Sequence, residues 1–246
     1  MILLYVLASL LIILLLYVLI LGICALFVDS SKEYNTHSTF YRWLLNGATA
    51  WGLRFARVKV CVTGMEKIPK NARVLFVGNH RSKFDPIVTW YIFRAWEPAF
   101  LSKEENFHVP VFGRIIRKCC FMAIDRENPR EALKTIYKAA ELIANDQVSI
   151  GVYPEGTRSK NNELLPFHNG VLKIAQRAKA PIIVIAIDGT EKIAKNYPLY
   201  KTKVYLDVAD VIPVEEVCTA QSRELGERIR YRLETKLQNR KDVEIK

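Results

Sequence analysis

The first 28 residues contain no acidic, basic or histidine side chain. That absence excludes a solvated surface segment. As a helix the run extends roughly 40 Å at 1.5 Å per residue, against a hydrocarbon thickness of about 30 Å. No Lys or Arg precedes it, which fits a secretory signal peptide poorly. The chain also lacks any Cys-x-x-Cys, and its five cysteines, Cys24, Cys61, Cys119, Cys120 and Cys218, are odd in number. This pattern argues against a disulfide framework and a zinc site, so reduced thiols facing the cytosol are expected. No Gly-x-Ser-x-Gly is present, so a serine nucleophile elbow is excluded. Acidic residues are in deficit, 25 Asp and Glu against 36 Lys and Arg, giving a net charge of +11. Such an excess suggests an anionic partner: nucleic acid, an anionic membrane surface or a phosphorylated substrate. There is no internal repeat, low-complexity tract or Gly/Ser linker.

What is present divides the 246 residues at about position 57. Residues 1–57 read as membrane-anchoring helices and residues 58–246 as an α/β domain. Lys32, Arg42, Arg54 and Arg57 follow the apolar run, which places the body of the protein in the cytoplasm by the positive-inside rule. Over residues 37–57, Phe40, Trp43, Leu44, Ala48, Trp51 and Phe55 recur at helical spacing, with Arg42, Asn46 and Arg54 off that face. Such a helix either lies at the lipid headgroups or packs its stripe on the core. Its position directly after the anchor favours the membrane. The first segment either spans the bilayer or pairs with this helix as a hairpin in one leaflet, and the short loop between them favours the hairpin.

From residue 58 the pattern alternates. Strands are expected at 58–62, 73–78, 99–102, 120–124, 148–153, 182–187 and 204–208. Helices are expected near 110–117, from Asn128-Pro129 onward, over 171–179 and over 220–238. The fold class is therefore α/β, a mostly parallel or mixed sheet of about seven strands flanked by helices.

Three strands end in polar turns. Val74–Val77 leads into Asn79-His80-Arg81-Ser82-Lys83-Phe84-Asp85-Pro86. Asp85-Pro86 suits an N-cap followed by Pro at the first helical position. In a turn that curls back, the Asp85 carboxylate reaches His80, fixes its tautomer and raises its basicity, making a general base without a serine. Taken alone, the pair also fits a helix cap beside a turn residue. The second turn is Tyr153-Pro154-Glu155-Gly156-Thr157-Arg158-Ser159 and the third is Asp188-Gly189-Thr190. Gly156 allows close backbone approach, Thr157 and Ser159 offer hydroxyls, and Arg158 and Arg126 offer planar forks suited to phosphate. Lys103 adds a point charge, so these groups together can hold a phosphate monoester beside the base. Glu155 is expected to position an arginine or to bond to the polar substrate.

Four of these segments, in register, resemble the glycerolipid acyltransferase family of lysophosphatidic acid acyltransferases. They are Asn79 to Asp85; Lys103, Pro110, Gly113 and Ile124-Asp125-Arg126; Tyr153 to Ser159; and Pro181 to Ile187. Three departures stand out. Tyr153 replaces Phe, Cys119 and Cys120 occupy a stretch often containing Gly, and Phe167-His168-Asn169-Gly170 replaces Phe-Lys-Lys-Gly, removing two cations. His108 reads as a loop residue. The resemblance implies acyl transfer from acyl-CoA or acyl-carrier protein to 1-acylglycerol 3-phosphate at a bilayer, giving phosphatidic acid. It assigns catalysis to His80 and Asp85, and substrate binding to Lys103, Arg126, Glu155, Gly156, Thr157, Arg158 and Ser159. Neither metal, cofactor nor nucleic acid is implied. Another lysophospholipid or glycerol 3-phosphate as acceptor, and a catalytically silent lipid-binding protein, are the alternatives.

Overall fold

A computed structural model describes residues 1–161 and 163–244. The helices are α1 (Ile2–Leu26), α2 (Thr39–Phe55), α3 (Asp85–Ile92), α4 (Phe112–Lys118), α5 (Pro129–Ala144), α6 (Lys173–Ala178), α7 (Ile193–Asn196), α8 (Val214–Thr219) and α9 (Ser222–Glu244). The strands are β1 (Val58–Thr63), β2 (Leu75–Gly78), β3 (Pro98–Ser102), β4 (Met122–Ala123), β5 (Ser149–Val152), β6 (Ile182–Asp188) and β7 (Thr202–Ile212). They form one seven-stranded sheet in the order β1-β7-β6-β2-β5-β3-β4. The central run from β6 to β4 is parallel, while β7 lies antiparallel to β6 and carries β1 parallel beside it. The sheet is therefore mixed.

Alternation along β6 shows how both faces are covered. Ile182, Val184 and Ala186 join the core under α5, α6 and α9, whereas Ile183, Ile185 and Ile187 join the core under α2 and α3. A strand buried on both faces reads as a continuous apolar run, which is why this segment is so conspicuous in the sequence. β4 is shorter than the expected 120–124, because Cys120 sits at φ 62 in the turn leaving α4. α9 runs six residues beyond the expected end at 238. All five cysteines are unpaired. Burial holds Cys119 at about 12 and Cys120 at about 11, so both remain neutral thiols within the packing.

α1 carries a 23-residue stretch, Leu4–Leu26, of mean hydropathy 3.1, long and apolar enough to cross a membrane and not buried in the body. Its second half folds back antiparallel along α2. The Tyr17 hydroxyl donates to Leu44 O, and the Tyr41 hydroxyl donates to Cys24 O at 2.9 Å. On α2, Phe40, Trp43, Trp51 and Phe55 point outward, stacked in pairs. Leu44, expected among them, is buried with Leu45 and Leu53.

Arg42 corrects the expected helix polarity more strongly. Rather than lying among headgroups, it is 4% exposed. Its Nη1 donates to Pro98 O at 3.1 Å and its Nη2 to Cys119 O at 3.2 Å, with the guanidinium 4.8 Å from the centre of the Trp90 ring. Burial lowers its pKa from the usual arginine value. The planar fork suits this task because one cation can satisfy carbonyls on two elements at once. Arg42→Ala is expected to destabilise the detergent-solubilised protein by about 3 kcal/mol, from lost packing and two undonated carbonyls. Arg42→Lys should recover less than half of that loss in denaturant titration.

Candidate active site

The parallel strands bring their carboxyl ends to one edge, where open α/β sheets bind ligands. His80 follows β2, Lys103 follows β3, Arg126 follows β4, Glu155–Ser159 follow β5 and Thr190 follows β6. The topology thus gathers on one edge residues separated by up to about a hundred positions.

His80 Nδ1 lies 2.9 Å from Asp85 Oδ2. Asp85 does not act as the expected N-cap. It is the first residue of α3 and its side chain curls back over the preceding loop. There Oδ2 also accepts the backbone N–H groups of Arg81 and Ser82, each at 2.7 Å. Oδ1 accepts the hydroxyl of Thr190. Asp85 is fully buried, and these charge-assisted bonds keep its carboxylate satisfied there. An anionic acceptor at Nδ1 places the proton on that nitrogen and leaves Nε2 as the basic one. His80 is among the residues lining a cavity of about 1040 Å³.

The remaining loops hold this pair in place. The Asn79 amide donates to Ile187 O and accepts from Ile187 N, both at 2.8 Å, extending the β2–β6 pairing beyond Gly78. Tyr153 stacks on the His80 ring, centroids 4.6 Å apart and planes 18° apart, and its hydroxyl lies 3.1 Å from Thr89 Oγ1. Burial raises the Tyr153 phenol well above its ordinary value. Arg81 pairs with Asp188. The Asp188-Gly189-Thr190 turn is legible as polar in the sequence, but its bonds to the His80 loop are not.

Two of the residues expected at the substrate, Glu155 and Ser159, are not among the residues that line the His80 cavity, although Glu155 lines the one adjoining it. Glu155 is 3% exposed, accepting His80 N at 2.6 Å and Leu165 N at 2.9 Å. It holds two loops together through their backbones. Burial raises its pKa, and the two amide bonds pull the other way. Ser159 is buried, donating its backbone N–H to His80 O at 2.8 Å, while its hydroxyl is buried with no partner among the described residues.

Lys103, Arg126, Gly156, Thr157 and Arg158 do line the cavity. Gly156 has φ +68, and a Cβ there would stand 3.0 Å from the His168 ring. The left-handed backbone and the close ring together require glycine. His168, noted in the sequence only as a lost cation, therefore lies against the Gly156 turn and lines the cavity. His108, read as a loop residue, is exposed at the end of a short 3-10 helix, Glu104–His108, 3.6 Å from Glu104. Below the polar mouth the walls are apolar: Leu45 from α2, Ile87 and Trp90 from α3, Phe112 and Ile116 from α4, and Leu133 from α5. The arrangement joins a His–Asp base and a set of cations to a large apolar space.

A family model described as Acyltransferase matches residues 59–188, more than half of the chain, a span that holds every residue expected at the site from His80 to Ser159. A 1-acyl-sn-glycerol-3-phosphate acyltransferase of Borreliella burgdorferi is 27% identical over 188 residues, covering 76% of this chain and 74% of the relative. One from Cocos nucifera is 33% identical over 121 residues, 49% of this chain but only 39% of the relative. The namesake from Escherichia coli is 28% identical over 163 residues, covering 66% of each. The matches to the Cocos nucifera protein and to namesakes from Limnanthes douglasii and Limnanthes alba span well under two thirds of those relatives' length. The fold matches the crystal structure of a 1-acyl-sn-glycerophosphate (LPA) acyltransferase from Thermotoga maritima, with a TM-score of 0.67 at 24% identity over 82% of this chain and 81% of that one.

The Thr190–Asp85 bond generates a test. Thr190→Val keeps the shape and removes the hydroxyl. It is expected to lower kcat about ten-fold, the size of one lost hydrogen bond to a charged group, with KM unchanged. Thr190→Ser should retain most of the wild-type kcat, and steady-state kinetics on the folded variants decides between them.

Proposed function

This chain belongs to the acyltransferase family, and we propose that it transfers a fatty acyl group from acyl-CoA or acyl-carrier protein to the sn-2 hydroxyl of 1-acylglycerol 3-phosphate, giving phosphatidic acid. The observation that carries the reading is the His80–Asp85 pair at the mouth of an apolar cavity that Lys103, Arg126 and Arg158 also line. Both substrates combine a long apolar chain with an anionic group, and the cavity offers both environments.

In this reading His80 Nε2 takes the proton of the acceptor hydroxyl as its oxygen attacks the thioester carbonyl. Asp85 stabilises the imidazolium that forms. The tetrahedral intermediate collapses, the C–S bond breaks, and the thiolate leaves with the proton from His80. No acyl-enzyme is formed, in keeping with the absence of a Gly-x-Ser-x-Gly elbow. Arg126 and Arg158 hold the acceptor phosphate with Lys103 assisting, and Gly156 and Thr157 shape the approach. Neither a metal nor a cofactor takes part, because the thioester already supplies the activated acyl group. Bonds from the Glu155 carboxylate keep the His80 and Leu165 loops in register around the substrate.

The protein acts at a bilayer. α1 attaches as a hairpin with α2, as their antiparallel contacts suggest, and the outward aromatics of α2 set the depth at the headgroups. Lys32, Arg54 and Arg57 remain as juxtamembrane cations once Arg42 is buried, and by the positive-inside rule they support a body on the cytoplasmic side.

Free thiol release from an acyl thioester, measured with and without lysophosphatidic acid in mixed micelles, tests the activity. Acceptor-dependent release is expected, and its absence across several thioesters would sink the reading. His80→Ala should lower turnover by at least about 10²-fold in a folded protein, and Asp85→Asn by no more than that.

Arg158→Ala should raise KM for the acceptor while leaving KM for the thioester unchanged. Arg158→Lys should restore only part of it, since a point charge lacks the fork. A change confined to the thioester would contradict the assignment.

A further inference from the structure

The cavity at His80 has an unusual charge balance. Lys83, Lys103, Arg126, Arg158 and Lys173 line it, and among the described residues no Asp or Glu does. Among the described residues none of the five is in an ion pair. A second cavity, of about 980 Å³, adjoins it across Lys103, Arg126, Gly156, Thr157 and His168. Its balance is opposite: seven carboxylates line it, among them Glu104, Glu105, Asp125 and Glu127. Lys134 and Lys138 there are already paired, with Glu131 and Glu33. Lys103 and Arg126 stand on the boundary, whereas Lys83 and Lys173 belong only to the carboxylate-free side.

The acceptor of the proposed reaction carries one phosphate monoester, at most a dianion, which Lys103, Arg126 and Arg158 already match. Lys83 and Lys173 are in excess of that need. Lys83 stands on the loop between His80 and Asp85, and Lys173 opens α6 beside the same cavity. Both line the cavity that the thioester must share with His80 in the proposed reaction. The acidic neighbouring cavity repels a second anion, so an anionic donor approaches from the lysine side.

Resting on the acyl-transfer reading, we propose that Lys83 and Lys173 form a donor subsite that binds phosphate on the thiol portion of the acyl thioester. The ligand class is a phosphorylated pantetheine thioester, whether free as the CoA ester or carried as a protein's prosthetic arm. The two lysines act in binding and take no part in the chemistry, so they are specificity residues and not catalytic ones. The attacking hydroxyl and the thioester carbonyl meet at His80.

The test uses the full chain in mixed micelles with three donors sharing one acyl group: acyl-CoA, acyl-4′-phosphopantetheine and acylpantetheine, the last without phosphate. Lys83→Gln and Lys173→Gln should each raise KM for acyl-CoA about five-fold, in keeping with exposed charge pairs, and the effect should shrink as salt rises. KM for lysophosphatidic acid should stay unchanged, and so should KM and kcat for acylpantetheine, which also shows that the variants are folded. A matching loss with acyl-4′-phosphopantetheine assigns the contact to the phosphate common to both donor types. A loss confined to acyl-CoA assigns it to the nucleotide phosphates. An equal loss with acylpantetheine, a shift in the acceptor KM alone, or no change with any donor would overturn the donor subsite. Wild-type protein inactive with all three donors would instead strike down the acyl-transfer reading, and that is seen before any variant is made.

Discussion

The buried carboxylate of Asp85 is the constraint on which the site is built. It receives the His80 ring, two backbone amides of the same loop and the Thr190 hydroxyl from the end of β6. A charge fully removed from water is tolerated only when it is bonded on all sides. The requirement works in reverse as well: each donor is fixed by the need to satisfy that charge. The β2–α3 loop and the β6 turn therefore cannot move independently of the histidine. Glu155 repeats the device from the other side, holding His80 N and Leu165 N. Two buried acids thus hold the loops, and neither needs to touch a ligand.

Beyond this polar rim, the chain arranges apolar space and membrane contact as one unit. α2 presents Leu45 to the cavity, places Arg42 beneath Trp90 and turns Trp43 and Trp51 outward. The outward face suits lipid headgroups and the inward face suits an acyl chain. Arg42 ties the two together by bonding to Pro98 and Cys119 at the ends of neighbouring elements. Under the proposed function, a chain leaving the bilayer along this helix need never cross water. The contrast between the two adjoining cavities adds direction, since anions are drawn to one and kept from the other.

Much of this was legible in the sequence because it depends on neighbours along the chain. The apolar start, the seven strand patterns and the turn residues after β2, β5 and β6 are short-range features. A strand covered on both faces must be apolar throughout, and a segment without charge must avoid water. The His80–Asp85 contact also spans only five residues, so a loop that curls back is enough to predict it. The four motif segments pointed to the family for a related reason: three are contiguous, and the other is spread only from Lys103 to Arg126.

Other roles were decided only when distant segments met. Glu155 and Ser159 have the chemistry of substrate ligands, yet their bonds go to the backbone at His80 and Leu165, partners that no local spacing reveals. Arg42 looks like a surface cation on a helix until β3 and the end of α4 supply carbonyls beneath it. Thr190 reads as a turn residue until β6 lies beside β2, and His168 as a lost charge until its ring packs on Gly156. The sequence alone determined which elements form and which residue types stand at their ends, because backbone geometry and water impose those choices within a few residues. The tertiary structure decided which polar groups face a ligand and which satisfy one another, because in a buried site a donor is assigned by proximity in space.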